Sequence, residues 1–341
     1  MATSKPGQRL AEVDALRGLA ALAVVLYHYT TRFHELFGNG AEPVVAFPGG
    51  HYGVNLFFII SGFVIFMTLQ RTTRPMDFVV SRFSRLFPAY WVSIALTFAV
   101  THALGLPEKL VSLTTALANV FMLHGLFGVA HVDGVYWTLE VELLFYVGMF
   151  TLYRLNWLKH IHWALAALVT VMWVYFLAAR FAGIELSWTL SRLLILPYIA
   201  WFSLGVAIYL ALNPRDAVDR PRSLLLAGYA LVTMAFVQSM FVGGLACALA
   251  GLVYLAASGR IPVLGQSVLV WLGAISYPLY LLHENIGWSI QLQLLALGLP
   301  SVVIVPTTLA FSLALATVVS RFVERPAMAW IRARHRSSLA K

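Results

Sequence analysis

The residues with chemistry to offer stand in apolar surroundings. His28 follows the run Ala21 to Tyr27, and Arg17 precedes it by eleven residues, about three helical turns. Both therefore project from nearly the same helical face, roughly 16 Å apart along the axis, as members of one column and not as a touching pair. Imidazole gives and takes protons near neutral pH, and an ionisable residue inside a membrane segment is a functional candidate by default. A histidine merely hydrogen-bonded to a neighbouring helix is the other reading, and both stay open on position alone.

A carboxylate lies in the stretch Tyr136 to Tyr146, which contains Glu140 and Glu142. Two residues on a helix are about 200° apart, so only one of them points into a given site. Glu142 is the deeper. Burying its charge is costly without a compensating cation, so His28 or an arginine is the expected partner, and Glu140 is expected near the interface. Arg82 and Arg85, preceded by Arg71 and Arg74, line one helical face with forked donors that suit phosphate. Anchoring to anionic lipid headgroups explains the same arginines. Ser276, Tyr280 and His283 fall at i, i+4 and i+7, beside Pro278. Such a stripe is either a substrate wall or inter-helical glue, and a supporting role is expected. Residues 105–135 carry His124, His131 and Asp133 around an apolar piece, Leu110 to Leu126, that suits a short re-entrant or interfacial helix. These side chains either shape an acceptor site or are simply solvated.

The elements that must position these groups are membrane helices. Of 341 residues, 60% are hydrophobic and 11% charged, against about 25% charged in soluble chains. Apolar runs of eighteen residues or more recur, long enough to cross a hydrocarbon core of roughly 30 Å. They predict about ten spans, near 11–31, 53–70, 86–104, 136–155, 163–182, 193–212, 223–240, 242–258, 273–296 and 301–322. The first follows Lys5, Arg9, Glu12 and Asp14, lacks a small-residue cleavage site, and reads as a retained helix. The expected fold is thus an all-α polytopic membrane helix bundle, one domain over 1–341 with a core of about 11–330.

The net charge of +9 is explained by topology and not by nucleic acid. With a cytoplasmic N-terminus, 19 of the 23 Lys and Arg fall on the cytoplasmic side, and only Arg32, Lys109, Arg180 and Arg192 fall outside. That asymmetry requires an even number of spans and places both termini in the cytoplasm. The single cysteine, Cys247, allows no disulfide and no Cys-based metal site, and is expected to be a small packing residue. No fixed-period or inverted repeat of the kind many transporters carry is evident.

Taken in order, these stretches resemble the acyltransferase 3 family of integral membrane O-acyltransferases, over about residues 11–330. The marks are Asp14-Ala15-Leu16-Arg17-Gly18 leading to His28, Gly53-Val54-Asn55-Leu56-Phe57-Phe58-Ile59-Ile60-Ser61-Gly62-Phe63, and Arg82 to Arg85 with Pro88-Ala89-Tyr90. Trp137 to Glu142, Ile275 to His283, and Glu324-Arg325-Pro326 complete them. The resemblance implies transfer of an acyl group, commonly acetyl, from acyl-CoA to a hydroxyl of a cell-surface or lipid-linked glycan, in a bacterial cytoplasmic membrane. It implies His28 as the catalytic base, Glu142 as its partner, and Arg17, Arg82 and Arg85 as donor-binding cations. Trp137, Tyr280, His283, Asn55 and Ser61 become substrate or supporting residues. It implies acyl-CoA as a cosubstrate, no permanently bound cofactor and no metal. The chemistry agrees, because a neutral imidazole can take the hydroxyl's proton and a carboxylate can stabilise the imidazolium.

The sequence departs from many relatives in having Asn55 where they have Asp, and Leu143 where they have a second glutamate after Glu142. The esterase-like domain fused to some relatives is expected to be absent. Competing readings are a transporter or exporter using Arg17, His28 and Glu142 as an ion relay, which leaves the arginine segment unexplained, and a non-catalytic scaffold in glycan assembly.

Overall fold

The structure is a computed structural model and describes residues 11–38, 45–184 and 187–339; Lys5, Arg9 and Lys341 lie outside them. Every regular element among the described residues is helical, and twelve helices reach thirteen residues or more. They are α1 Ala11–Tyr27, α2 Gly53–Arg71, α3 Pro75–Leu104, α4 Trp137–Arg154, α5 Ile161–Ala182, α6 Ile199–Leu212, α7 Asp219–Val237, α8 Met240–Ala257, α9 Ser267–Leu282, α10 Glu284–Ala296, α11 Ser301–Val319 and α12 Arg325–Ser338. Each of the ten apolar stretches carries a long helix, the sixth only from Ile199 onward and the ninth divided into α9 and α10 at His283. Among the described residues, six helical runs are long and apolar enough to cross a membrane: Pro48–Arg71, Pro75–Leu104, Gly134–Arg154, Trp157–Ala182, Met240–Ala257 and Ser301–Ser338. Ile199–Leu212 and Ser267–Leu282 are apolar but shorter.

Helix α6 carries no charged residue, and Ile199 to Leu210 are all buried, the pattern of a helix surrounded on every side. Its close approach to α2 depends on two glycines. A Cβ on Gly205 would collide with the Ile59 carbonyl, and one on Gly62 with the Phe202 carbonyl. Helix α1 meets α9 in the same way, since a Cβ on Gly18 would run into the backbone of Gly273 and one on Gly273 into that of Asp14. Small residues let apolar helices gain dispersion contact where no hydrophobic drive exists between them. These contacts fix α1, α2 and α9, which carry Arg17, His28, Asn55, Ser61 and Tyr280.

Two breaks in the helical ladder bear on the site. The chain from His28 to Arg32 is a π-helical turn, and Ser320 to Glu324 forms another between α11 and α12. Such single turns carry a wider hydrogen-bond spacing and are frequent at functional sites. Inside α9, Pro278 has no N–H to give the Ala274 carbonyl, and Ser320 Oγ donates to that carbonyl instead, at 3.4 Å. Cys247, expected to be packed, is instead exposed. It lies on α8, of which only a few residues are buried, so its side chain faces outward from the bundle.

Adding one methyl at two glycines tests this packing. Gly205→Ala should lower the thermal unfolding midpoint in detergent, overpacking costing about 1–3 kcal/mol, whereas Gly228→Ala on α7, with open space around it, should leave the midpoint unchanged or slightly raised.

Candidate active site

His28 opens the π-helical turn that prolongs α1. Its Nδ1 lies 2.9 Å from the Val24 carbonyl, one turn back, which fixes the proton on Nδ1 and turns Nε2 outward. Side chains from another helix add hydrogen bonds to the carbonyls of the turn. Trp288 Nε1 donates to the His28 carbonyl at 2.9 Å, and Gln291 Nε2 to the Tyr29 carbonyl at 3.1 Å, both from α10. The Tyr29 hydroxyl donates to the His283 carbonyl at 2.8 Å and accepts from Ser312 Oγ at 2.6 Å. A Cβ on Gly287 would collide with the Tyr29 ring, so this clamp needs the glycine.

The carboxylate that meets His28 is that of Glu284, with Nε2 and Oε2 3.1 Å apart. The Nε2 lone pair and a carboxylate oxygen thus face each other across a seat for one proton. His283 stands behind, its Nε2 3.1 Å from His28 Nδ1 and its own Nδ1 2.9 Å from the Tyr280 carbonyl. His283 is fully buried, whereas the His28 side chain keeps 14% exposure and is the imidazole open to a substrate. Glu284 is held by its surroundings. Asp133 accepts from Val135 N at 3.2 Å and Asn285 N at 3.1 Å, tying the start of α4 to that of α10, and a Cβ on Gly134 would collide with Glu284 Oε1.

Two cavities meet beside this pair. The larger, about 270 Å³, is lined by Tyr27, His28, His51, Asn55, Trp137, Tyr198 and Glu284. The smaller, about 40 Å³, is lined by Arg17, Ser61, Thr138, Glu142, Ser276 and Tyr277. Val54, Phe58 and Tyr280 belong to both linings and form the wall between them. The Tyr280 hydroxyl lies 2.9 Å from Thr138 Oγ1 at that wall.

The residues expected from the sequence divide between these cavities. His28, Asn55 and Trp137 line the larger and Arg17, Ser61 and Glu142 the smaller, while Tyr280 belongs to both and His283 backs His28. The expected pairing of Glu142 with His28 is not formed. Glu142 Oε1 accepts from Ser61 Oγ and from the Tyr146 hydroxyl at 2.6 Å, because α4 turns it toward α2 and away from α1. Arg82 lies over the Phe78 and Tyr146 rings, while Arg85 is ion-paired to Glu324 at 2.6 Å. Glu140 is fully buried and paired with Arg192 at 2.9 Å. Sequence reasoning missed Glu284. Its signal was a carboxylate directly after His283 in an apolar run.

Residues 105–133, between two of the long apolar helices, fold back on the site, and instead of a long helix they hold the short helix Leu113–Asn119. Asn119 holds the return of the chain, donating to the Ala130 carbonyl at 2.9 Å and accepting from Val132 N at 3.0 Å. His124 Nε2 and His131 Nδ1 lie 2.7 Å apart in this fold, not solvated. Burial pushes both imidazoles down to about 4, with His131 adding to the effect on His124 and Arg192 to that on His131.

Both features yield tests. The unfolded chain protonates these histidines near pH 6.5 and the folded chain only near 4, so stability is full above pH 6.5 and declines as pH falls toward 4. His124→Gln should therefore shrink the drop in thermal midpoint between about pH 7 and about pH 5. Gly134→Ala should displace the Glu284 carboxylate from His28 and lower activity by about tenfold or more at an unchanged folded fraction, checked by turnover beside a thermal scan.

A family model described as an acyltransferase domain matches residues 10–321. The exopolysaccharide production protein ExoZ of Rhizobium meliloti (strain 1021) is 28% identical over 266 residues, 73% of this chain and 80% of that protein. Nodulation protein 10 of Rhizobium leguminosarum bv. viciae is 30% identical over 154 residues, 40% of this chain and 42% of that protein. The peptidoglycan O-acetyltransferase OatA of Listeria monocytogenes is 27% identical over 169 residues, 43% of this chain and 25% of that protein. No solved structure matches. The family match spans nearly the whole chain and decides for the enzyme over the transporter and the scaffold: the chain belongs to the acyltransferase 3 family and is an integral membrane acyltransferase.

Proposed function

We propose that the protein moves an acetyl group from acetyl-CoA to a hydroxyl of a cell-surface polysaccharide, with His28 and Glu284 taking the hydroxyl's proton. The observation that carries this reading is the His28–Glu284 pair on the wall of an aromatic cavity, one side-chain layer from a second cavity containing Arg17. Tyr27, Trp137 and Tyr198 offer flat apolar faces with polar edges, suited to a sugar ring that is apolar on one face and hydroxylated at its rim. The exopolysaccharide and peptidoglycan proteins among the relatives support a glycan acceptor.

In this reading the chain crosses a bacterial cytoplasmic membrane about ten times, α9 and α10 together making one crossing, with both termini cytoplasmic. The arginine-lined cavity then opens toward the cytoplasm, where acyl-CoA is found, and the aromatic one toward the opposite face. The acceptor oxygen attacks the thioester carbonyl as its proton passes to the His28–Glu284 pair. A carbon–oxygen bond forms, the carbon–sulfur bond breaks, and the departing CoA thiolate takes up the proton. Tyr280, whose hydroxyl donates to Thr138 Oγ1 because Thr138 gives its own proton to the Val135 carbonyl, is held at the boundary between donor and acceptor. Glu142 organises the donor side through Ser61 and Tyr146 and is not the partner of His28.

Radiolabelled acetyl-CoA and an exopolysaccharide oligosaccharide, mixed with the purified chain in nanodiscs, test the assignment. His28→Ala and Glu284→Gln should each lower kcat by roughly 10²–10⁴, while Glu142→Gln should act mainly on KM for the donor. Absence of label in any glycan with the wild type, or a Glu284→Gln variant as active as wild type, would sink it.

A further inference from the structure

The arginines of the sequence differ in one respect that their count conceals. Arg85 has Glu324, Arg192 has Glu140, Arg215 has Asp219 and Arg32 has Glu35. Among the described residues, no carboxylate lies within ion-pairing distance of Arg17, Arg82 or Arg332, although the Nε atoms of Arg17 and Arg82 are buried and unpartnered. A guanidinium placed only to satisfy the sidedness of basic residues would reach into the headgroup layer. Arg82 is turned inward over two aromatic rings.

Helix α12 brings a further cation to the same place. Met328, Ile331, Arg332 and His335 are its more buried positions, spaced as one helical face. That face lies on the first turns of α3. His335 Nε2 meets Asp77 Oδ1 at 2.7 Å, and Arg332 Nε donates to Ser84 Oγ at 3.1 Å. Ser81 serves two guanidiniums, its hydroxyl accepting from Arg82 Nη2 at 3.1 Å and its carbonyl from Arg332 Nη2 at 3.5 Å. Arg332 thus sits in the fields of Arg82, Arg85 and Arg336. Two guanidiniums on one serine turn with no carboxylate between them repel each other, and an anion seated there converts that repulsion into binding.

The surrounding contacts connect this seat to the smaller cavity. Arg85 lies over the ring of Tyr277, and Arg82 over that of Tyr146, whose hydroxyl donates to Glu142; Tyr277 and Glu142 both line the cavity. Arg85 also holds Glu324, the last residue of the π-helical turn from which α12 starts, and so fixes where α12 lies. The geometry points to α12 as a wall of the donor site, with Arg332 and Arg82 together holding a phosphate of the acyl-CoA. This rests on the acyl-CoA reading above. Arg332 approaches from the outermost of these elements, so its partner is the phosphate farthest from the thioester, the one on the adenosine ribose.

Equilibrium binding of CoA and of dephospho-CoA to the full chain, in nanodiscs of neutral lipid and of neutral plus anionic lipid, tests this. Wild type should bind CoA more tightly than dephospho-CoA. Arg332→Gln should weaken CoA binding roughly tenfold and erase that preference, Arg332→Lys should restore part of it, and Arg334→Gln, on the exposed side of α12, should change nothing. An Arg332→Gln variant that folds with an unchanged thermal midpoint and keeps both the affinity and the preference overturns the inference. So does a loss seen only when anionic lipid is present, which would make the phosphate a headgroup's. If wild type binds neither nucleotide, the acyl-CoA reading itself fails, which is a separate outcome from failure at Arg332.

Discussion

Every polar group placed inside this bundle must be answered from within it, and the His28–Glu284 pair is where that demand is greatest. Unpaired, either group would cost several kcal/mol in an apolar interior. Together they face one proton seat in one orientation, which the Val24 carbonyl, His283 and the Asp133 clamp fix. The same rule governs the departures from regular helix. The carbonyls at the π-helical turn are taken by Trp288 and Gln291, and the one freed by Pro278 by Ser320. Helices α10 and α11 and the second π-helical turn are therefore bound to the site by polar bonds, over and above apolar contact.

Much of this was legible in the sequence. Apolar runs predicted helices α1 to α11 because a run of that length can cross a bilayer only as a helix, and the Arg17-to-His28 spacing placed both on one column because a helix has a fixed period. Tyr280 and His283 were found as a stripe for the same reason. What the period could not give was the pairing between helices. Glu142 and Glu284 are both glutamates in apolar runs, and nothing local says which one α1 will face. That depends on Gly18 and Gly273 bringing α1 against α9, so that the segment beginning at Glu284 reaches His28. The partner of Glu140 escaped for a related reason, since Arg192 is 52 residues away in the chain.

The division between paired and unpaired arginines was equally invisible. Arg82 and Arg85 belong to one motif, and by type and spacing they are equivalent. In the folded chain Glu324 engages Arg85 and leaves Arg82 without a carboxylate. One arginine of the motif thereby holds the architecture while its neighbour is spared that task.

Tyr280, Val54 and Phe58 separate the two cavities by a single layer of side chains. A bilayer maintains ion gradients, and any continuous aqueous passage through it would dissipate them. In the proposed reading, with ligands entering from both faces, a wall one residue thick answers that hazard with the least separation between reactants. Water and the bulky nucleotide would stay on their own sides, and the tightness of the septum and the reaction would depend on the same ring.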